Sequence, residues 1–136
     1  YGAPAIVVDF GTATNIDVID NEGYYIGGSI APGIRISMDA LTARASKLAS
    51  VPLESPAHAI GRNTVECVQS GAVIGAAAMA EGLVARIKNE LGAPDARVIA
   101  TGGLSSVVAQ STDVFDIIDN QLTLRGIREI YRRMTE

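Results

Sequence analysis

Asp9, Gly11, Thr12 and Thr14 fall close together in the stretch DFGTATN, Asp9–Asn15, between the apolar runs Ala5–Val8 and Ile16–Ile19. Asp9 is the first charged side chain of the sequence. A carboxylate at the end of a strand reading Ile6-Val7-Val8 must be paired, hydrogen-bonded or turned toward a cation. Gly11 lets the backbone bend and lets a ligand come close. Thr12 and Thr14 put hydroxyls beside backbone N–H groups freed by the turn. This set of groups suits a phosphate and the cation that travels with it. It equally suits an ordinary glycine-containing hairpin whose aspartate bonds its own turn.

A second glycine turn, Thr101-Gly102-Gly103, follows the short apolar run Arg97–Ala100. It presents little side chain, so a flat group such as a purine could lie against its backbone. Ligands of α/β sheets sit at the carboxyl ends of strands. The two turns together predict a nucleotide, with its phosphates at the first turn and its base near the second. Neither a Walker lysine motif nor a GxGxxG fingerprint is present, so the phosphate site is of hairpin type. Thr64, at a helix start, offers a hydroxyl and N-terminal backbone donors to a small anionic or polar substrate; it also fits a plain helix cap. Asp17 and Asp20 read as solvent-facing or turn-forming, His58 as an exposed loop residue, and Cys67, Met38 and Met79 as core.

The chain has 136 residues, 48% of them hydrophobic, which is enough for one domain with a real core. Its net charge of -4 offers no field for a polyanion, so nucleic acid is not an expected partner. One cysteine and one histidine exclude an internal disulfide, a thiolate cluster and a paired-histidine zinc site. No apolar run approaches the length of a membrane span, and a cytoplasmic home is expected. The sequence opens at Tyr1 without an initiating Met and enters a strand within a few residues, as a segment cut at a domain boundary would.

These residues need elements to position them. Ala5–Phe10, Thr14–Ile19 and Tyr24–Ser29 read as an antiparallel meander. Ile30–Gly33 (IAPG) reads as a loop feeding an amphipathic helix through Ile34, Met38, Leu41, Ala45 and Leu48, with Lys47 near its end. Val51–Arg62 reads as a surface loop. Asn63 or Thr64 caps a long helix with the stripe Val65, Val68, Ala72, Ala76, Met79, Leu83 and Ile87. In that helix Gly71, Gly75 and Gly82 are expected to pack against another backbone. Gly92 closes the helix. A strand at Arg97–Ala100, a brief helix at Leu104–Ala109, a strand at Val114–Ile118 and a last helix at Thr123–Arg133 follow. Leu124, Ile127, Ile130 and Tyr131 of that last helix are expected to face inward. The order predicts a mixed α/β domain: a three-stranded meander, then helix–strand crossovers that add parallel strands.

In sequence, DFGTATN, GGSIAPGI, GRNT, QSGAVIG, IATGGL and LTLRGI resemble the C-terminal half of type III pantothenate kinase, from Ala5 to about Arg132. The combination is far more specific than any one motif. The resemblance implies an actin-like ATPase (ribonuclease H-like) domain, residues 1–136 being one half of a duplicated pair with ATP in the cleft between. It implies phosphorylation of pantothenate, the first step toward coenzyme A, with ATP, Mg²⁺ and a monovalent cation (K⁺ or NH₄⁺), in a homodimer. Carried over, Asp9 resembles the monovalent-cation ligand, Thr12 an ATP-phosphate contact that Gly11 makes room for, Thr64 a pantothenate contact, and Thr101, Gly102 and Gly103 the adenosine-side motif. Asn15 stands where family members often carry a second Thr. The family's first phosphate loop and its general-base aspartate, in a Gly-x-Asp-Arg motif, lie upstream of Tyr1 in this comparison, so the chain is expected to hold half an active site and no catalytic base. A transcription accessory factor that needs no kinase activity, or another kinase of the superfamily, is the alternative.

Overall fold

The computed structural model describes residues 1–45 and 50–136. Strand β1 (Ala5–Phe10) lies at the centre of a five-stranded sheet ordered β3-β2-β1-β4-β5. Strands β2 (Ala13–Ile19) and β3 (Tyr25–Pro32) complete the antiparallel meander on one side. Strands β4 (Arg97–Thr101) and β5 (Ile117–Ile118) add parallel neighbours on the other. The expected mixed α/β architecture is therefore present.

Alternation in β1 and β2 explains the layering. Ile6, Val8 and Phe10 point to one face, in register with Val18, Ile16 and Thr14 of β2, and Val98 and Ala100 of β4 join them. These apolar residues are almost fully buried. Helices α1 (Ile34–Arg44), α2 (Thr64–Leu91) and α3 (Ser105–Val108) cover that face through Ile34, Met38, Ala76, Ala77, Ala80, Val84 and Val108. Phe10 and Phe115 meet edge to face with centroids 5.8 Å apart. Helix α4 (Leu122–Thr135) ends the chain.

Several elements differ from their sequence reading. Strand β3 runs on through Ile30 and Ala31 to Pro32, where a loop was expected; β3 is an edge strand, so Pro32 can pair with Ala13 without donating to a further neighbour. Most of the α2 stripe packs on the core, Ala76 fully and Val68, Ala72, Leu83 and Ile87 partly, but the deepest burial lies on the flank at Val73, Ala77, Ala80 and Val84, and Val65 is exposed. The cause is a π-helical turn, Ser70–Ile74, which inserts an extra residue and rotates the face that follows. Cys67, in the first turns before it, is exposed rather than core, its thiol donating to the Gly61 carbonyl at 3.4 Å, and Met79 is only half-buried. Added methyl groups at Gly71, Gly75 and Gly82 meet open space, so these glycines pack against no backbone among the described residues; alanines make the close approach instead. The strand expected at Val114–Ile118 pairs only at Ile117–Ile118. Leu48 and Lys47 lie outside the described residues, and α1 ends at Arg44.

Helix α4 departs most. Leu124, Ile127, Ile130 and Tyr131 are 59–69% exposed, not inward. Helix α2 also has the length and composition of a membrane span, an 18-residue window reaching a mean hydropathy of 1.4, which the sequence reading did not foresee. Its buried face lies on the sheet, and core helices of this kind pass the same test.

The glycines give a paired prediction. Gly82→Ala, on an exposed face with free space, should stabilise the chain by up to about 1 kcal/mol. Gly28→Ala, whose methyl would collide with the Ile16 carbonyl across the β2–β3 pair, should destabilise it by about 1–3 kcal/mol. Urea midpoints of the two variants measure both.

Candidate functional site

Parallel pairing of β1 with β4 puts Asp9 level with Thr101. Both glycine turns therefore leave the sheet at one edge, as expected. Leu104 N–H donates to the Phe10 carbonyl at 3.2 Å and ties the second turn to the end of β1. Gly102 has φ +93°, a left-handed conformation, and its α-carbon lies hard against β1. A methyl group there would strike Asp9 Oδ1 and lie 2.6 Å from Phe10 C and 2.7 Å from Phe10 N. Only a glycine lets the two turns close on each other.

Asp9 is half-buried between Gly11 and Gly102. By register it shares a face with Asn15, Asp17 and Thr101, opposite the apolar core face. Burial first, and the Asp17 carboxylate second, push its carboxyl above the ordinary value of 3.8. Among the described residues no hydrogen bond offsets that shift. Asp9 is thus not spent on its own hairpin, where Gly11 N–H donates instead to the Ala13 carbonyl at 3.1 Å. A half-buried carboxylate lacking a donor fits a cation. Among the described residues no cluster of three or more His, Cys, Asp or Glu could hold a metal ion. Asp9 would therefore serve a cation shared with backbone oxygens or ligand oxygens.

A cavity of about 320 Å³ opens beside the turns, lined in part by Gly11, Thr12 and Gly103. Asp9, Thr101 and Gly102 do not line it; they form the joint behind it. Phe10 and Leu104 line it too, and the rest of the wall is the start of α1, with Arg35, Ile36 and Asp39, which the sequence reading missed. Their placement depends on β3: continued through Pro32, it delivers Gly33 against the Thr12 carbonyl, where a methyl group would clash. The charged pair Arg35 and Asp39 following IAPG was the available signal, but nothing local to it tells which turn the helix starts against.

Thr64 is elsewhere. It lines a separate cavity of about 470 Å³ with Ser37, Met38, Leu41, Cys67 and Val68. Asn63 caps the helix, its Oδ1 accepting from Glu66 N–H at 2.9 Å, which leaves the Thr64 hydroxyl free of capping duty. Helix α1 contributes to both cavities, Arg35, Ile36 and Asp39 to one and Ser37, Met38 and Leu41 to the other. Asp20 is the turn-former expected of it, accepting from Glu22 and Tyr24 N–H at 2.9 Å each. His58 is exposed.

The family model described as type III pantothenate kinase matches residues 1–86, which include the first turn, α1 and Thr64. The chain belongs to the type III pantothenate kinase family. A type III pantothenate kinase of Thermomicrobium roseum is 54% identical over 98% of this chain and 51% of its own length. That of Moorella thermoacetica is 50% identical over 99% of this chain and 53% of its own length. The chain thus spans about half the length of the curated type III pantothenate kinases it matches. A solved structure of a conserved putative Baf family transcriptional activator from Campylobacter jejuni superposes with TM-score 0.64 at 26% identity, covering 97% of this chain and 59% of that one.

The raised Asp9 carboxyl has a consequence for stability. A folded state that raises a carboxyl group's pKa is penalised once that group ionises, and the penalty disappears as pH falls below the unfolded-state value. Asp9→Asn should therefore raise the melting temperature at pH 7, with the gain vanishing by about pH 3.8. Added K⁺ should stabilise the wild type and leave the variant unmoved. Equal melting temperatures across the pH range would remove Asp9 as a strained, cation-seeking group.

Proposed function

We propose that the full-length protein transfers the γ-phosphoryl group of ATP to the hydroxyl of pantothenate. The observation that carries this reading is the convergence of the two glycine turns on one cavity in a chain of this family. The strand order, with an antiparallel meander beside parallel strands, supports an actin-like ATPase (ribonuclease H-like) domain. Residues 1–136 then form one half of the duplicated pair.

Phosphoryl transfer is mostly positioning and neutralisation of charge. Gly11 and Thr12 would orient the phosphates with backbone and hydroxyl donors. Thr101, Gly102 and Gly103 would carry the adenosine side, with Gly102 holding the turn against β1. Asp9 would hold the monovalent cation, which supplies positive charge near the phosphates when bound. Mg²⁺ would come with the nucleotide. Thr64 would bind pantothenate, whose apolar stem suits Met38, Leu41 and Val68. The general base belongs to the half of the family's length that this chain does not span. A homodimer in the cytoplasm completes the reading.

The likeness to the putative Baf family activator supports a second reading, a partner-binding role without turnover. ADP release coupled to a reporter separates the two. Full-length protein should show pantothenate-dependent ADP formation, and the 136-residue chain alone should show none. In the full-length enzyme Thr64→Ala should raise the KM for pantothenate about tenfold while leaving that for ATP unchanged. No ATP consumption would favour the second reading, and ATP consumption independent of pantothenate would remove pantothenate as the acceptor.

A further inference from the structure

The phosphate cavity carries a cation that no motif announces. Arg35 lies in the first turn of α1 and lines the same wall as Gly11, Thr12 and Gly103. Among the described residues it enters no ion pair; Asp39 stands one helical turn beyond it, in the order, base before acid, that favours pairing less. The guanidinium is exposed, and the cavity it borders includes a carboxylate, Asp39, with a second, Asp9, behind the turns. A chain of net charge -4 brings no general attraction for a polyphosphate. Backbone donors at the two turns can orient phosphoryl oxygens, but they carry no full charge to offset those carboxylates. The α1 start adds to the same field. Gly33 caps it without a side-chain bond and sits against the Thr12 carbonyl, so nothing intervenes between the helix's first turn and the phosphate turn.

We propose that Arg35 is the charged contact for the nucleotide's phosphoryl chain in this cavity, with Ser37, Met38 and Leu41 of the same helix serving the second cavity. The proposal rests on the kinase reading and deepens it. Arg35 binds β- or γ-phosphoryl oxygens through its planar fork, a geometry that Lys reproduces only as a point charge.

Titration calorimetry of full-length protein with ADP, and with adenosine as control, tests this. R35Q should weaken ADP binding by about tenfold or more and leave adenosine unchanged. R35K should recover part of the loss. The salt dependence of ADP binding should be shallower in R35Q than in wild type, a change that a purely structural role would not produce. Equal ADP affinity and equal salt dependence in R35Q and wild type would overturn the proposal, as would an equal loss for adenosine. Absence of ADP binding by wild type would overturn it too. Two outcomes separate it from the reading beneath it. Arg35-dependent ADP binding without pantothenate turnover would sink the kinase reading alone. Normal turnover with Arg35-independent binding would sink Arg35 alone.

Discussion

The parallel pairing of β1 with β4 governs the arrangement of everything else. It fixes Asp9 opposite Thr101 and so delivers both turns to one edge of the sheet. A slip of one residue would turn the apolar set of β4, Val98 and Ala100, away from the helices and face Ile99 toward them. The core and the candidate site therefore depend on the same register. Gly102 enforces it further, because its turn has no room to slide past the backbone at Phe10.

Much of this was legible in the chain. The apolar run Ala5–Val8 ending in a lone carboxylate located β1 and its turn, and the boundaries Ala5–Phe10 hold as read. The left-handed cap at Gly92 also holds, with φ 63°. What could not be read has physical causes. A π-turn has no propensity signature, so the deeper burial of the α2 flank at Val73, Ala77 and Ala80 than of the stripe beside it was not legible. The outward face of α4 follows the 3.6-residue period faithfully, yet periodicity reports an apolar face without reporting whether this chain covers it. The placement of Arg35 beside the first turn depended on a strand extending through Pro32, a residue that ordinarily argues for a loop.

The electrostatics of the edge are the reverse of a typical nucleotide site. Rather than a lysine in a glycine loop, the described residues offer a strained carboxylate, backbone donors and one arginine on a neighbouring helix. Such a site gains affinity only when the ligand brings or recruits positive charge, since Asp9 ionised beside Asp17 is unfavourable by itself. The cation and the nucleotide would thus bind as mutually dependent partners, each reducing the other's cost of entry.

Gly28 and Gly61 do not line the cavity beside the two turns, yet each is as confined by neighbouring backbone as Gly102. Drift at these positions is blocked by steric exclusion alone. Were they invariant across relatives, that invariance would say nothing about chemistry. A glycine retained at the turn and a glycine retained in the scaffold would look identical in any comparison of sequences, and only the geometry around each tells them apart.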